Sequence, residues 1–185
     1  MTPQPAKPRV LIVDDHPVNR MVFESLLESE YTVAVAENGP EALGLAHREE
    51  YAVILLDIRM PGMDGFEVAE ILRKRERTRH TPIIFMSAYD QTIVQAKRGY
   101  IVGATDFLFS PVDSELLKLK VATYVQIYLR TESLRLQVQL LQDTVRALET
   151  VISHRSPVDE PVQEGIRHIE DQVDDLERHL GPLQG

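Results

Sequence analysis

Five side chains in this sequence are of types that could do chemistry together. They are the doublet Asp14-Asp15 ending "RVLIVDD", Asp57 ending "YAVILLD", Ser87 in "TPIIFMSA" and Ser110 in "DFLFSPVD". Each stands at or near the polar end of a short apolar run. Three carboxylates drawn into one crevice repel one another, and left alone at least one stays protonated. A hard divalent cation resolves this. Mg²⁺ prefers oxygen ligands, keeps several waters, and takes one or two carboxylates plus phosphate oxygens. A carboxylate beside such an ion can attack a phosphoryl group and become an acyl phosphate. In that transfer a protein mainly positions groups and neutralises charge. Asp57, which ends the central run, is the candidate nucleophile. Asp14 and Asp15 would hold the metal, a backbone carbonyl near Arg59 would be a further ligand, and Ser87 could hydrogen-bond a phosphoryl oxygen. A lone aspartate at a strand end is more simply a helix cap. A doublet plus a third at the matching strand ends asks for more.

The elements that must position these residues can be read from the pattern around them. "RVLIVDD", "YTVAVAENG", "YAVILLD", "TPIIFMSA" and "GATDFLF" are short, β-branched apolar runs, the mark of buried strands. Between them lie helical stretches of about a dozen residues. In "PVNRMVFESLLESE", Pro17 suits a first turn, and Val18, Met21, Val22 and Leu26 share a face. "PEALGLAHREE", "FEVAEILRKRE" and "DQTIVQAKRGYI" follow, with turn chemistry at Asn38-Gly39, Pro61-Gly62 and Asp64-Gly65. Strands alternating with helices predict an α/β fold, a five-stranded parallel sheet wound on both faces. Such sheets gather their chemistry outside the carboxyl ends of the strands. The basic run "RKRERTR", from Arg73 to Arg79, is expected to be a solvated helix end with cations near the negative end of the dipole.

Beyond Asp113 the character changes. Asp113 or Ser114 can cap a helix, and no glycine or proline follows until after His154. Leu134, Val138, Leu141, Val145, Leu148 and Ile152 alternate by four and three, a heptad seam. Ile127 and Tyr124 continue it upstream, with Thr131 and Lys120 as weak positions. After "SHRSPVDEP" comes a second seam: Val162, Ile166, Ile169, Val173, Leu176, Leu180 and Leu183. Two helices of one period joined by a short connection predict a helical hairpin. A strict two-position stripe is narrow and asks for a partner, so the expectation is a homodimer whose hairpins form a four-helix bundle. The alternative is a hairpin closed within one chain.

The bulk numbers exclude several functions. Of 185 residues, 43% are apolar, enough for a real core. With 29 acidic residues against 20 basic, direct binding to DNA phosphates is not expected. There are no cysteines, hence no disulfide and no thiolate metal site. That fits a cytoplasmic setting. No signal peptide or membrane-spanning run is visible.

The stretch from about Arg9 to Leu129 resembles the receiver domain of two-component response regulators. The motifs that carry it are "LIVDDHPVNR", "AENGPEAL", "LLDIRMPGMDG", "IIFMSA" and "GATDFLFSPVD", in matching order and spacing. The resemblance implies a flavodoxin-like receiver over residues 7–129, followed by the hairpin over 130–185. It implies that Asp57 accepts phosphate from a phosphohistidine on a sensor histidine kinase or phosphotransfer protein, with Mg²⁺ bound by Asp14, Asp15 and Asp57. It implies that Ser87 and Phe107 are the hydroxyl and aromatic switch residues. In such proteins phosphorylation pulls the hydroxyl inward, the aromatic ring follows, and the surface formed by the last strand and the helices beside it changes. No enzymatic activity is implied beyond help with the domain's own phosphorylation and dephosphorylation.

One position departs from the pattern. Family members usually carry lysine immediately before the proline of the last loop, where its ammonium pairs with the acceptor aspartate and then with the phosphoryl group. Here Ser110 precedes Pro111. Serine is neutral and too short to bridge directly, so phosphorylation is expected to persist but to be weakly coupled. Arg59 could compensate. Output is expected through protein association, because no nucleotide loop, metal cluster or basic reading helix is visible in the tail. Two other readings stand beside it. The chain could be a scaffold independent of phosphate, or a receiver joined to a kinase-like phosphotransfer hairpin with His154 in "ISHRSP" as acceptor. The chain could also be a piece of a longer protein whose effector the hairpin serves.

Overall fold

The computed structural model describes residues 7–88, 100–153, 164–165, 167–169, 171–172 and 175. Strands β1 (Arg9–Val13), β2 (Thr32–Ala36), β3 (Val53–Asp57), β4 (Ile83–Ala88) and β5 (Asp106–Ser110) form one sheet. Helices α1 (Pro17–Leu27), α2 (Gly39–Arg48) and α3 (Gly65–Lys74) follow the first three strands, and α4 (Ser114–Ser153) follows β5. All pairings are parallel, in the order β2-β1-β3-β4-β5. Parallel strands covered on both faces need apolar residues at every position rather than every second one. Val10 to Val13 and Val53 to Leu56 are accordingly all buried. Of the expected helix in "DQTIVQAKRGYI", residues 89–99 lie outside the described residues, and residues 100–102 are helical.

Local chemistry sets the helix starts. Asn38 caps α2 by accepting from the Glu41 amide at 2.9 Å. Asp64 and Glu67 form a reciprocal capping box on α3, at 2.8 and 2.9 Å. The Asp113 carboxylate accepts from the Leu116 amide at 2.9 Å ahead of α4. Gly65 opens α3 because nothing larger fits: a Cβ there would lie 2.2 Å from the Asp57 carbonyl oxygen.

The core face of α1 is settled here, and one surface expectation changes. On α1 the core side is Phe23 and Leu27, while Val18, Met21 and Val22 are 69%, 70% and 48% exposed. The helix carries apolar residues on more than one face and the sheet covers only one, which the ring of Phe23 takes. The basic run is also not simply solvated. Arg73 is half-buried, donating to the carbonyls of Gly103, Thr78 and Thr81, and Arg75 and Arg77 donate to carbonyls within α2 and at its end.

Contacts divide the chain into two units, Met1–Ile127 and Tyr128–Gly185. Within the second, Val138 is buried and Val145 half-buried, while Leu134, Leu141 and Leu148 are 50%, 52% and 54% exposed. Of the second seam, Ile169 is helical and exposed. Val162, Ile166, Val173, Leu176, Leu180 and Leu183 lie outside the described residues, as does His154. Among the described residues no helix is long and apolar enough to cross a membrane.

Candidate functional site

Strand register brings the acids together. Val13 pairs with Leu56, so Asp14 and Asp57, the next residue on each strand, emerge side by side. They do so between β1 and β3, where the strand order reverses, the place at the carboxyl edge where sheets of this kind form their binding crevice. Asp14 is 2% exposed, and its amide still bonds to the Ala36 carbonyl at 3.2 Å, holding it to the edge of β2. Asp57 is half-buried at the tip of β3, where the Ile58 amide reaches the Met86 carbonyl at 3.2 Å. Ligand atoms of Asp14, Asp15 and His16 all lie within 4.8 Å of one another.

The electrostatics show what this proximity costs. The carboxyl of Asp57 is pushed up to about 6, first by burial and then by the charges of Asp14 and Asp15, against the backbone amides of Arg59 and Ile58, which favour the anion. Asp14 is raised too, chiefly by burial, with bonds from the His16 amide and Asn19 opposing. The imidazole of His16 is held above its ordinary value, first by its hydrogen bond to Asp15 at 3.0 Å. Clustered carboxylate oxygens, with Asp57 and Asp14 held back from ionising first by burial and then by like charge, suit a small divalent cation bound through oxygen. The donor set therefore fits Mg²⁺.

The remaining predicted residues sit further along the sheet. Ser87 follows Met86, the register partner of Asp57, and is 5% exposed on β4. Phe107 on β5 is 7% exposed and lies in a run of rings: 5.7 Å from Phe85 and 5.1 Å from Tyr100, with Phe66 5.1 Å from Phe85. Ser110 is exposed and pairs with Ala88, so β4 separates it from Asp57. Two strand spacings amount to about 10 Å, beyond a serine side chain. The Arg59 side chain is exposed.

Three partners of the pocket were not legible as such in the sequence. Asn19 donates to Asp14 Oδ2 at 3.0 Å, the Arg20 guanidinium donates to the Asp14 carbonyl at 2.7 Å, and the His16 amide donates to Asp14 Oδ1 at 2.8 Å. The available signal was Pro17, which starts a helix two residues after the doublet and so turns the first turn of α1 back over it. A second polar cluster also escaped. On β5, Asp106 pairs with Lys120 of α4 and lies 3.4 Å from the Tyr124 hydroxyl.

A model of the response regulator receiver domain matches residues 10–122. The response regulator PleD of Caulobacter vibrioides is 39% identical over 128 residues, 69% of this chain and 28% of PleD. A probable cyclic di-GMP phosphodiesterase of Vibrio cholerae is 34% identical over 163 residues, 80% of this chain and 37% of that protein. The chain thus spans well under half the length of either relative. Among solved structures, the chemotaxis protein CheY4 of Vibrio cholerae superposes with a TM-score of 0.60 at 33% identity, over 65% of this chain and 99% of CheY4.

Proposed function

The chain belongs to the response regulator receiver family of two-component signalling, and from that premise we propose that Asp57 is its phosphoacceptor. The donor is a phosphohistidine on a histidine kinase or phosphotransfer protein. The observation that carries the reading is the placement of Asp57 beside Asp14, with its carboxyl raised to about 6. A carboxylate that resists ionisation beside other acids is the one that gains most from a cation.

An oxygen of the Asp57 carboxylate attacks phosphorus. The P–N bond breaks as the P–O bond forms, and the departing imidazole keeps the electron pair and takes up a proton. Asp14, Asp15 and Asp57, with the backbone carbonyl near Arg59, would hold Mg²⁺, which would supply positive charge to the phosphoryl oxygens. The amides of Ile58 and Arg59 orient the Asp57 carboxylate, and Ser87 offers its hydroxyl to a phosphoryl oxygen. Ser110 puts a neutral side chain on the β5 side of the pocket, at the position where family members usually carry a lysine. Losing one preorganised contact of this kind costs roughly 10²- to 10³-fold in rate.

The tail is the output in this reading. α4 runs as one helix from Ser114 to Ser153, and the half-exposed Leu134, Leu141 and Leu148 repeat every seven residues along it. A second copy of the chain packs on that stripe, and the phosphorylation state biases the pairing.

Labelling from a small acyl phosphate in Mg²⁺ tests the site. The natural chain should label slowly, Ser110→Lys much faster, and Asp57→Ala not at all. Equal and efficient labelling of the natural and lysine forms would remove the role given to Ser110. Absence of label in both would leave a scaffold that works without phosphate.

A further inference from the structure

We propose that Asn19 is a positioning residue of the acidic pocket: its side-chain amide fixes the Asp14 carboxylate and so sets how tightly the pocket takes a divalent cation. The inference rests on the reading of Asp14 as a metal ligand.

Asp14 lies just past the end of β1, and its backbone alone does not fix where its carboxylate points. The first turn of α1 does. The His16 amide donates to Oδ1 at 2.8 Å and the Asn19 amide to Oδ2 at 3.0 Å. The Arg20 guanidinium holds the Asp14 carbonyl at 2.7 Å. Two donors on two oxygens fix both side-chain torsions. Each carboxylate oxygen can accept more than one bond, so both keep capacity for an ion or its waters. Asn19 is exposed on its helix and contributes nothing to the core. Asparagine is also a poor residue for a helix, so neither packing nor propensity accounts for it.

The kind of donor matters. A lysine near these acids would neutralise them but would also repel an incoming cation. A side-chain amide is neutral. It holds Asp14 in place while leaving the negative charge of the pocket intact. In a pocket whose β5 side offers Ser110 in place of a cation, the donors at the start of α1 are what order Asp14 before the ion arrives. Partners of this kind, one bond removed from a metal, typically change affinity by roughly 10- to 100-fold when mutated.

The test is Mg²⁺ titration of the full chain by calorimetry, with thermal unfolding in EDTA alongside. Asn19→Leu keeps the shape and removes the donor, and Asn19→Ala guards against a misfit of the leucine. Both should weaken Mg²⁺ binding by roughly 10- to 100-fold with little change in metal-free melting. Unchanged affinity in both variants overturns the proposal. Tighter binding also overturns it, since the amide would then be competing with the ion. Loss of affinity only in step with loss of the fold, in both variants, would make Asn19 a structural residue and overturn it as well. Asp14→Asn is the separate control. If the natural chain takes no Mg²⁺, or Asp14→Asn binds it as well as the natural chain does, the reading of the pocket itself has failed, whatever Asn19 does.

Discussion

Replacing Asp57 by asparagine should make the metal-free protein more stable at neutral pH. The carboxyl is raised from 3.8 to about 6, mainly by burial and next by Asp14. A group whose pKa is higher folded than unfolded favours the fold while it is protonated, below its unfolded value. That contribution is lost as pH rises through the folded value. At pH 7.5 the natural chain therefore carries a buried charge that opposes folding. At about 1.4 kcal/mol per pKa unit the full shift would be worth about 3 kcal/mol, and solvent screening of a group that is only half-buried reduces this to about 1–2 kcal/mol. For a chain of this length each kcal/mol moves the midpoint by about 2–4 °C, so Asp57→Asn should melt about 2–8 °C higher in EDTA. Calorimetric melts from pH 7.5 down to pH 4 are the assay. The gap should shrink below pH 6 and be nearly gone at pH 4. Saturating Mg²⁺ should narrow it at pH 7.5, because the ion stabilises the folded chain that binds it. Equal stability at pH 7.5, or a gain that persists unchanged to pH 4, would refute the electrostatic reasoning.

Three further outcomes are expected. Gly65→Ala forces a methyl to within 2.2 Å of the Asp57 carbonyl oxygen. It should cost about 3 kcal/mol in denaturant unfolding and slow the labelling of Asp57 as well. Lys120→Met strands the half-buried Asp106 carboxylate and should cost about 1–3 kcal/mol, between the values for exposed and buried pairs. The double variant with Asp106→Asn should recover much of that loss. The pair Leu134→Lys and Leu141→Lys should halve the mass found by light scattering. A natural chain that is already monomeric would dispose of the dimer, and a dimer that survives both substitutions would place the contact elsewhere.

What the sequence showed about this molecule divides by physical scale. Buried parallel strands are legible because every position must be apolar, so the runs before Asp14 and Asp57 announced themselves. The aspartates were legible because they end those runs, and register then set them side by side. Side-chain direction was not. Val18, Met21 and Val22 share a face as expected, yet Phe23 and Leu27 face the core, and periodicity alone does not rank two apolar faces on one helix. Arg73 illustrates another gap. A cation near a helix end satisfies the dipole in any sequence, but its bonds to Gly103, Thr78 and Thr81 depend on loops brought near by the fold. The same holds for Asn19, whose partner is fixed by how α1 leaves β1.

The leucines at 134, 141 and 148 recur every seven residues on a helix that turns once every 3.6. Such a row is not straight. It slips around the cylinder by about 20° per heptad, or about 40° between the first and last of the three. A rigid rod laid alongside would touch one of them well and drift off the others. To meet all three, the mate must wind about the helix with a left-handed twist, so the geometry favours a flexible helical strand over a flat or rigid surface.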